Sequence, residues 1–153
     1  VKYVTGGNFL DYRQTAETLF HLIPLLEKNF VRPVMQQSRL PLSPAQMRVL
    51  VRLSDKKGTT MTSLAKELVM SKQQMTPIVD KLVAENLVKR EPDMEDRRII
   101  HIVLTAAGYE MREKCKVETL AILQEKLSGL NDEDLTALHI ALTDLYAVIH
   151  KIP

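Results

Sequence analysis

The chain has 153 residues, enough for one domain with a real core, or for one domain with a helical extension. Apolar residues make up 45%, with no tryptophan and few aromatics, so the core has to be built from Leu, Ile, Val and Met. A formal net charge of +2 excludes a strong whole-chain attraction for nucleic acid, and no apolar run approaches the ~18 residues a membrane span needs. The single cysteine, Cys115, excludes an internal disulfide framework and fits a reducing cytosol; nothing at the start resembles a signal peptide. The chain opens on Val1 rather than Met, and a trimmed N-terminus is expected.

Residues 1–9 carry a Gly-Gly pair and no periodicity and read as a loose arm. From about Leu10 the spacing predicts a long helix, with Leu19, Ile23, Leu26 and Phe30 on one stripe widened by Leu22 and Val34. Pro24 lies inside it and predicts a kink or a join between two pieces. The next helix has clear start signals. Ser43 is a good N-cap, Pro44 suits the first position, Gln46 completes a capping box, and Leu42 with Met47 has the spacing of a hydrophobic staple. Its buried side is predicted to be Met47, Leu50, Val51 and Leu53, with residues 55–58 ending it.

The stretch over residues 62–104 organises the rest. A very short strand over residues 59–61 is followed by a brief helix capped by Thr62, with Leu64, Ala65 and Leu68 inward; the small Ala65 permits a close helix crossing. A second helix opens at Ser71, with Gln74 three residues on and Met70 and Met75 as a staple. Met75, Ile78, Val79 and Leu82 share its apolar side, and Gln73, Thr76, Pro77, Asp80 and Ala84 lie opposite. Pro77 is too deep to be a first-turn proline and predicts a distortion. Two β-branched segments, LVKRE and IIHIVL, read as a strand pair around the loop PDMEDRR, with Ile100, Ile102 and Leu104 on one face. Thr105 caps a long helix over residues 106–128, and Gly129 ends it. Asn131 caps the last helix, whose Leu135, Leu138, Leu142, Leu145, Ile149 and Ile152 form an unbroken heptad-like seam that wants another helix against it.

Helix, turn, helix and a two-stranded wing make a winged helix-turn-helix, whose usual work is to place its second helix in the DNA major groove. The fold class is therefore mainly α with a small antiparallel β-wing. Residues 39–105 are the expected DNA-binding domain, and residues 1–38 with 106–153 the expected helical dimerisation region. On the second helix Ser71, Lys72, Gln73, Gln74, Thr76 and Lys81 are candidates: Gln can bond adenine bidentately, Thr can meet a thymine methyl, and Lys suits phosphate. On an isolated helix such a face would be merely solvated; the preceding helix and the following wing change that reading. Over residues 66–98 acids and bases cancel, so phosphate neutralisation alone would bind DNA poorly. The sharper device is Asp96-Arg97-Arg98, where an acid two residues before an arginine can fix the guanidinium by a charge-assisted bond. An arginine so placed at a wing tip suits the minor groove, although by spacing alone it could be an ordinary surface ion pair.

The run PIVDKLVAENLVKREPDMEDRRIIHIVLTAAG, with its D-x-R wing and the Leu104, Thr105 and Gly108 opening of the next helix, resembles the MarR family of bacterial regulators. The resemblance extends over most of the chain through the long first helix, LSPAQMRVL, and the two long helices after the wing. It implies an obligate homodimer with interlocked terminal helices, here Leu19, Ile23, Leu138, Leu142, Leu145 and Ile149, and one recognition helix per subunit in successive major grooves of a pseudo-palindrome. On that pattern Asp96 steadies Arg98 in the minor groove. Many members repress transcription and release double-stranded DNA when a small aromatic or lipophilic effector binds between the dimer helices and the DNA-binding lobe. The implied location is the bacterial cytoplasm, with nucleoid association when DNA is bound; no cofactor and no membrane contact are implied. Effector-binding residues are not assigned.

Three other readings are distinguishable. A winged helix can serve as a protein-interaction adaptor, against which the polar second helix and the D-x-R wing argue. Some relatives sense peroxide through a cysteine, but Cys115 lies among Met111, Val117 and Leu120 and reads as buried and inert. The scattered His21, His101, His139 and His150 show no metal-ligand spacing, and no nucleophile–base pair or phosphate-binding glycine loop points to an enzyme.

Overall fold

The computed structural model describes residues 12–53 and 58–152. The arm expected over residues 1–9, the helix start at Leu10 and the helix end at residues 55–57 lie outside the described residues. The chain falls into two units, one of residues 38–120 and one that joins residues up to 37 with residues from 121 onward.

In the first unit a capped helix, a helix-turn-helix and a three-stranded sheet share one core. Helix α3 (Pro44–Arg52) starts at Ser43, whose side chain accepts from the Gln46 amide while Gln46 bonds back to the Ser43 N–H, the predicted capping box. Its buried residues are Gln46, Met47, Val49 and Leu50, with Leu53 at its end. Val51, expected inside, is exposed and Val49 takes its place. Positions 46, 49, 50 and 53 are spaced three, four and seven residues from the first, which is the stripe a 3.6-residue period puts on one face.

The strand β1 (Thr59–Thr60) runs straight into α4 (Met61–Glu67), so the N-cap is Thr60, two residues earlier than expected. Its side chain accepts from the Ser63 N–H at 3.2 Å. Helix α4 closes with paired bonds, Val69 N–H to the Lys66 carbonyl and Met70 N–H to the Ala65 carbonyl, around Val69 at φ 54°. That is a Schellman close, which usually employs glycine. Helix α5 (Lys72–Ala84) ends the same way, with Asn86 at φ 56° between Asn86 N–H to Val83 and Leu87 N–H to Leu82. Through Pro77, where a distortion was expected, α5 runs as unbroken α-helix. The proline is exposed, so the Gln73 carbonyl that loses its donor can turn to water.

The wing strands β2 (Val88–Pro92) and β3 (Ile100–Leu104) pair antiparallel, with Val88 opposite Leu104 and Pro92 opposite Ile100; β1 joins the other edge of β3. Of the expected β3 face, Ile102 and Leu104 are buried and Ile100, at the wing end, is exposed. Thr105 caps α6 (Ala106–Leu127), accepting from the Gly108 N–H at 3.0 Å and donating to the Asn86 carbonyl at 2.6 Å. Gly108 is required here, because a Cβ on it would lie 1.9 Å from the Leu87 carbonyl oxygen. The core these elements enclose includes Leu50, Leu64, Ala65, Met75, Val79, Leu82, Val88, Ile102 and Leu104.

The second unit is helical. The long N-terminal helix is broken into α1 (Tyr12–Leu26), a π-helical turn (Glu27–Val31) and α2 (Arg32–Gln37). The turn starts three residues after Pro24, the residue expected to mark a join. Helix α7 (Asp132–Ile149) is capped by Asn131 accepting from the Asp134 N–H, with three acids in its first turn, where the helix dipole favours them. Neither α1 nor α7 contains a buried residue. Leu19, Ile23, Leu142 and Ile149 are exposed, and Leu138 and Leu145 are half-buried.

Candidate nucleic-acid interface

The outward side of α5 is set by what its inward side must do. Met75, Val79 and Leu82 are fully buried, which leaves Lys72, Gln73, Gln74, Thr76, Pro77, Asp80 and Lys81 exposed. Their hydrogen-bonding capacity is unequal. The Gln74 carbonyl oxygen accepts from the Ser71 N–H (2.9 Å) and hydroxyl (3.1 Å), and the Ser71 oxygen accepts from the Gln74 N–H, so these two residues shape the helix start and Gln74 keeps only its NH2. Thr76 donates to the Lys72 carbonyl at 2.8 Å, which leaves its methyl and lone pairs. Gln73 alone of the helix's amides makes no side-chain bond among the described residues, and so retains its full donor and acceptor pair for a base edge. Asp80, the acid on this face, accepts from Arg90 Nη2 of β2 at 2.6 Å. That pair removes a charge that would repel phosphate and was not foreseen.

The wing loop is built on two carboxylates. Asp93, just after β2, accepts on Oδ1 from the backbone N–H of Glu95 (2.9 Å) and Asp96 (3.1 Å), and its Oδ2 meets His101 Nε2 of β3 at 3.0 Å. Asp96 accepts three bonds from Arg98: backbone N–H (3.0 Å) and Nε (2.9 Å) on Oδ1, and Nη2 (2.9 Å) on Oδ2. The spacing suggested a charge-assisted bond, and the side-chain pair is bidentate. The Arg98 guanidinium and backbone N–H hold the Asp96 carboxyl below the usual carboxylate range, and Asp96 in turn raises Arg98. The two loop amides, and after them His101, hold Asp93 low as well. Arg98 keeps a side chain 91% exposed while its partner is half-buried, so the guanidinium is oriented without being withdrawn from solvent. Arg97 and Met94 are also exposed on this loop.

Asp93 and His101 were missed in the sequence. Pro92-Asp93 is a legible turn start, because an Asp side chain commonly caps the amides two and three residues on. His101 was reachable only through strand register, since it pairs with Glu91 and so stands beside the first loop residue.

Cys115 is fully buried on α6, and burial pushes its thiol pKa up, with the Glu118 carboxylate adding to the effect. A sensing thiol needs the reverse on both counts, which argues against a redox mechanism through Cys115. Glu118 also accepts from Ser38 Oγ (2.6 Å) and Arg39 N–H (2.8 Å). On the same unit a cleft of about 400 Å³ is lined by Val51, Arg112, Glu113, Lys116, Thr119 and Leu120. Among the described residues no three His, Cys, Asp or Glu side chains converge as metal ligands, and no helix is long and apolar enough to cross a membrane.

Comparison with known proteins places this geometry. Residues 42–100 match the model of the MarR family. The chain is 30% identical over 113 residues to the HTH-type transcriptional repressor MdtR of Bacillus subtilis, covering 72% of this chain and 73% of the relative. It is 27% identical over 143 residues to the organic hydroperoxide resistance transcriptional regulator of the same organism, covering 94% and 88%. Among solved structures it is similar to wild-type MarR (apo form) from E. coli, with a TM-score of 0.75 at 26% identity over 83% of this chain and 95% of that one. Streptococcus pneumoniae FabT in complex with DNA shares the fold at 22% identity, with a TM-score of 0.61 over 94% and 100%. The capped α5, its polar face and the Asp96-bound Arg98 are thus parts of a DNA-binding protein, and the chain belongs to the MarR family of winged helix-turn-helix transcriptional regulators.

Proposed function

We propose that the protein is a homodimeric repressor that holds a pseudo-palindromic operator and is released from it by a small aromatic or lipophilic ligand. In this reading Gln73, the Gln74 NH2 and Thr76 read base edges in the major groove, Lys72 and Lys81 meet phosphate, and Ser71 holds the start of the helix that presents them. Arg98, steadied by Asp96 and flanked by Arg97, enters the minor groove. The observation that carries the reading is the bidentate Asp96–Arg98 bond on an exposed wing tip, in one unit with the capped polar face of α5. Electrostatic attraction by net charge cannot replace it, because the charge is only +2; recognition has to come from placed groups.

Dimerisation is supported by the exposed apolar residues of α1 and α7, and repression by the name of the relative MdtR. Two recognition helices in successive major grooves need centres about 34 Å apart, and the terminal helices are the part of the chain free to set that distance. A ligand that binds better to a differently spaced dimer then shifts the population away from DNA. The cleft beside α6 suits such a ligand, with Val51 and Leu120 as apolar walls and Lys116 for an acidic group. The protein acts in the cytoplasm and joins the nucleoid when bound.

The test is a gel-shift titration on the promoter of its own gene with salt varied. Tight binding whose logarithm falls linearly with the logarithm of salt is expected. Binding that is absent, or indifferent to salt, overturns the proposal.

A further inference from the structure

His101 stands at the inner end of the wing, on β3, where its side chain is 23% exposed against 91% for Arg98 at the outer end. Its Nε2 lies 3.0 Å from Asp93 Oδ2. An ionised carboxylate only accepts, so Nε2 must carry the proton. The other ring nitrogen, Nδ1, is buried with no hydrogen-bond partner among the described residues. Among the described residues the imidazole therefore makes one side-chain bond, and that bond is to Asp93.

What the bond does follows from the rest of the loop. Asp93 Oδ1 gathers the amides of Glu95 and Asp96, and the Asp93 N–H is itself bonded to the Ile99 carbonyl at 2.9 Å. Ile99 N–H returns to the Asp96 carbonyl at 2.9 Å. The position of the Asp96 backbone, and with it the carboxylate that grips Arg98, is therefore set by where Asp93 points. With Oδ1 committed to the loop, Oδ2 is the handle by which the strand holds the carboxylate, and His101 is what holds it. Without that donor the Asp93 carboxylate is held by the two loop amides alone, and these can exchange with water.

We propose that His101 is a positioning residue of the DNA interface: its Nε2–H fixes Asp93, Asp93 fixes the 93–96 turn, and the turn carries the Asp96-bound Arg98 in one orientation. The series runs from a half-buried strand residue to an exposed guanidinium without passing through the recognition helix. It rests on the reading of Arg98 as a DNA contact.

The experiment is a double-mutant cycle read by fluorescence anisotropy on a duplex from the promoter of the protein's own gene. The variants are His101→Leu, His101→Gln, Arg98→Ala and His101→Leu with Arg98→Ala. Gln can place an N–H near Nε2, whereas Leu fills the space and donates nothing. His101→Leu is expected to weaken binding about tenfold and His101→Gln no more than about twofold, while His101→Leu adds less than about twofold once Arg98 is Ala. Equal losses for Leu and Gln, or a His101→Leu loss undiminished without Arg98, overturn the proposal. A thermal melt of each variant separates these losses from unfolding. A DNA-free readout keeps the inference apart from the function it rests on. In 15N spectra the Arg98 Nε–H signal should lose its protection from solvent exchange in His101→Leu, with the amides of residues 88–91 unmoved. If Arg98→Ala leaves DNA affinity intact, the wing contact fails. If the Arg98 signal is unchanged in His101→Leu, it is the positioning role that fails.

Discussion

The two units of the chain treat their apolar residues in opposite ways. In residues 38–120 Leu50, Leu64, Met75, Val79, Leu82 and Ile102 are all but removed from solvent, and α3, α4, α5, β2, β3 and the start of α6 contribute side chains to that core. In the helical unit Pro33, Val34 and Ile122 are buried, but α7 keeps Leu135, Ile140, Leu142, Tyr146, Val148 and Ile149 exposed, and α1 does the same with Tyr12, Leu19, Phe20 and Ile23. Exposed apolar area on this scale is unusual for a surface that stays in water. One unit therefore carries its stability within its own residues, while the other has the composition of a core without an enclosed interior. That division suits the proposed dimer, in which the reading part keeps its own core and the exposed apolar helices supply the interface.

The largest effect that would break this comparison lies inside the self-sufficient unit. Leu82→Ala, at a fully buried position of α5, should lower unfolding stability by ~2–5 kcal/mol in urea denaturation. A loss well under 1 kcal/mol would mean the core is less closely packed than its burial indicates. On the other side of the comparison, Leu142→Asp should leave the fold of residues 38–120 intact and yet abolish the dimer in analytical ultracentrifugation. Operator affinity should then fall by about 10²-fold or more, because the second half-site loses its tethered partner. A monomeric variant that still holds a full operator tightly would separate spacing from binding and end that argument.

Arg98→Ala should have a smaller and more local effect: about tenfold weaker operator binding, a salt dependence reduced by about one ion, and an unchanged melting temperature. The reason it was legible in the sequence is that its partner lies only two residues away, with Asp96 Oδ1 and Oδ2 both accepting from Arg98. The same holds for the caps at Ser43, Ser71, Thr105 and Asn131, each of which bonds an amide three residues on. What depended on the meeting of distant segments was not legible. The Asp80–Arg90 pair joins helix to strand, His101 reaches Asp93 across a register, and Thr60 rather than Thr62 starts α4 because β1 pairs with β3. Val51 was misplaced for a related reason. Apolar type alone does not choose between positions 49 and 51, whereas the helical phase set by Gln46, Leu50 and Leu53 does.

The smallest effect concerns the turn between α4 and α5, where the self-sufficient unit carries a local flaw. Val69 sits at φ 54°, is 92% exposed, and closes α4 by the same pair of bonds that Asn86 makes for α5. A β-branched side chain in the left-handed region crowds its own backbone, at about 1–2 kcal/mol, and here it recovers no burial in return. Asn86 meets the same demand with a residue that tolerates it. Replacing Val69 by glycine removes the crowding but adds unfolded-chain entropy of about 0.4–1 kcal/mol, so the net gain should be near 0.5–1 kcal/mol. Val69→Asn should gain a similar amount with less entropy to offset. Both are measured as a rise in the urea midpoint of unfolding at unchanged slope. If glycine instead destabilises, Val69 is held by something other than its turn. Were operator affinity to fall while stability rose, the strain would belong to the placement of α5 and not to folding.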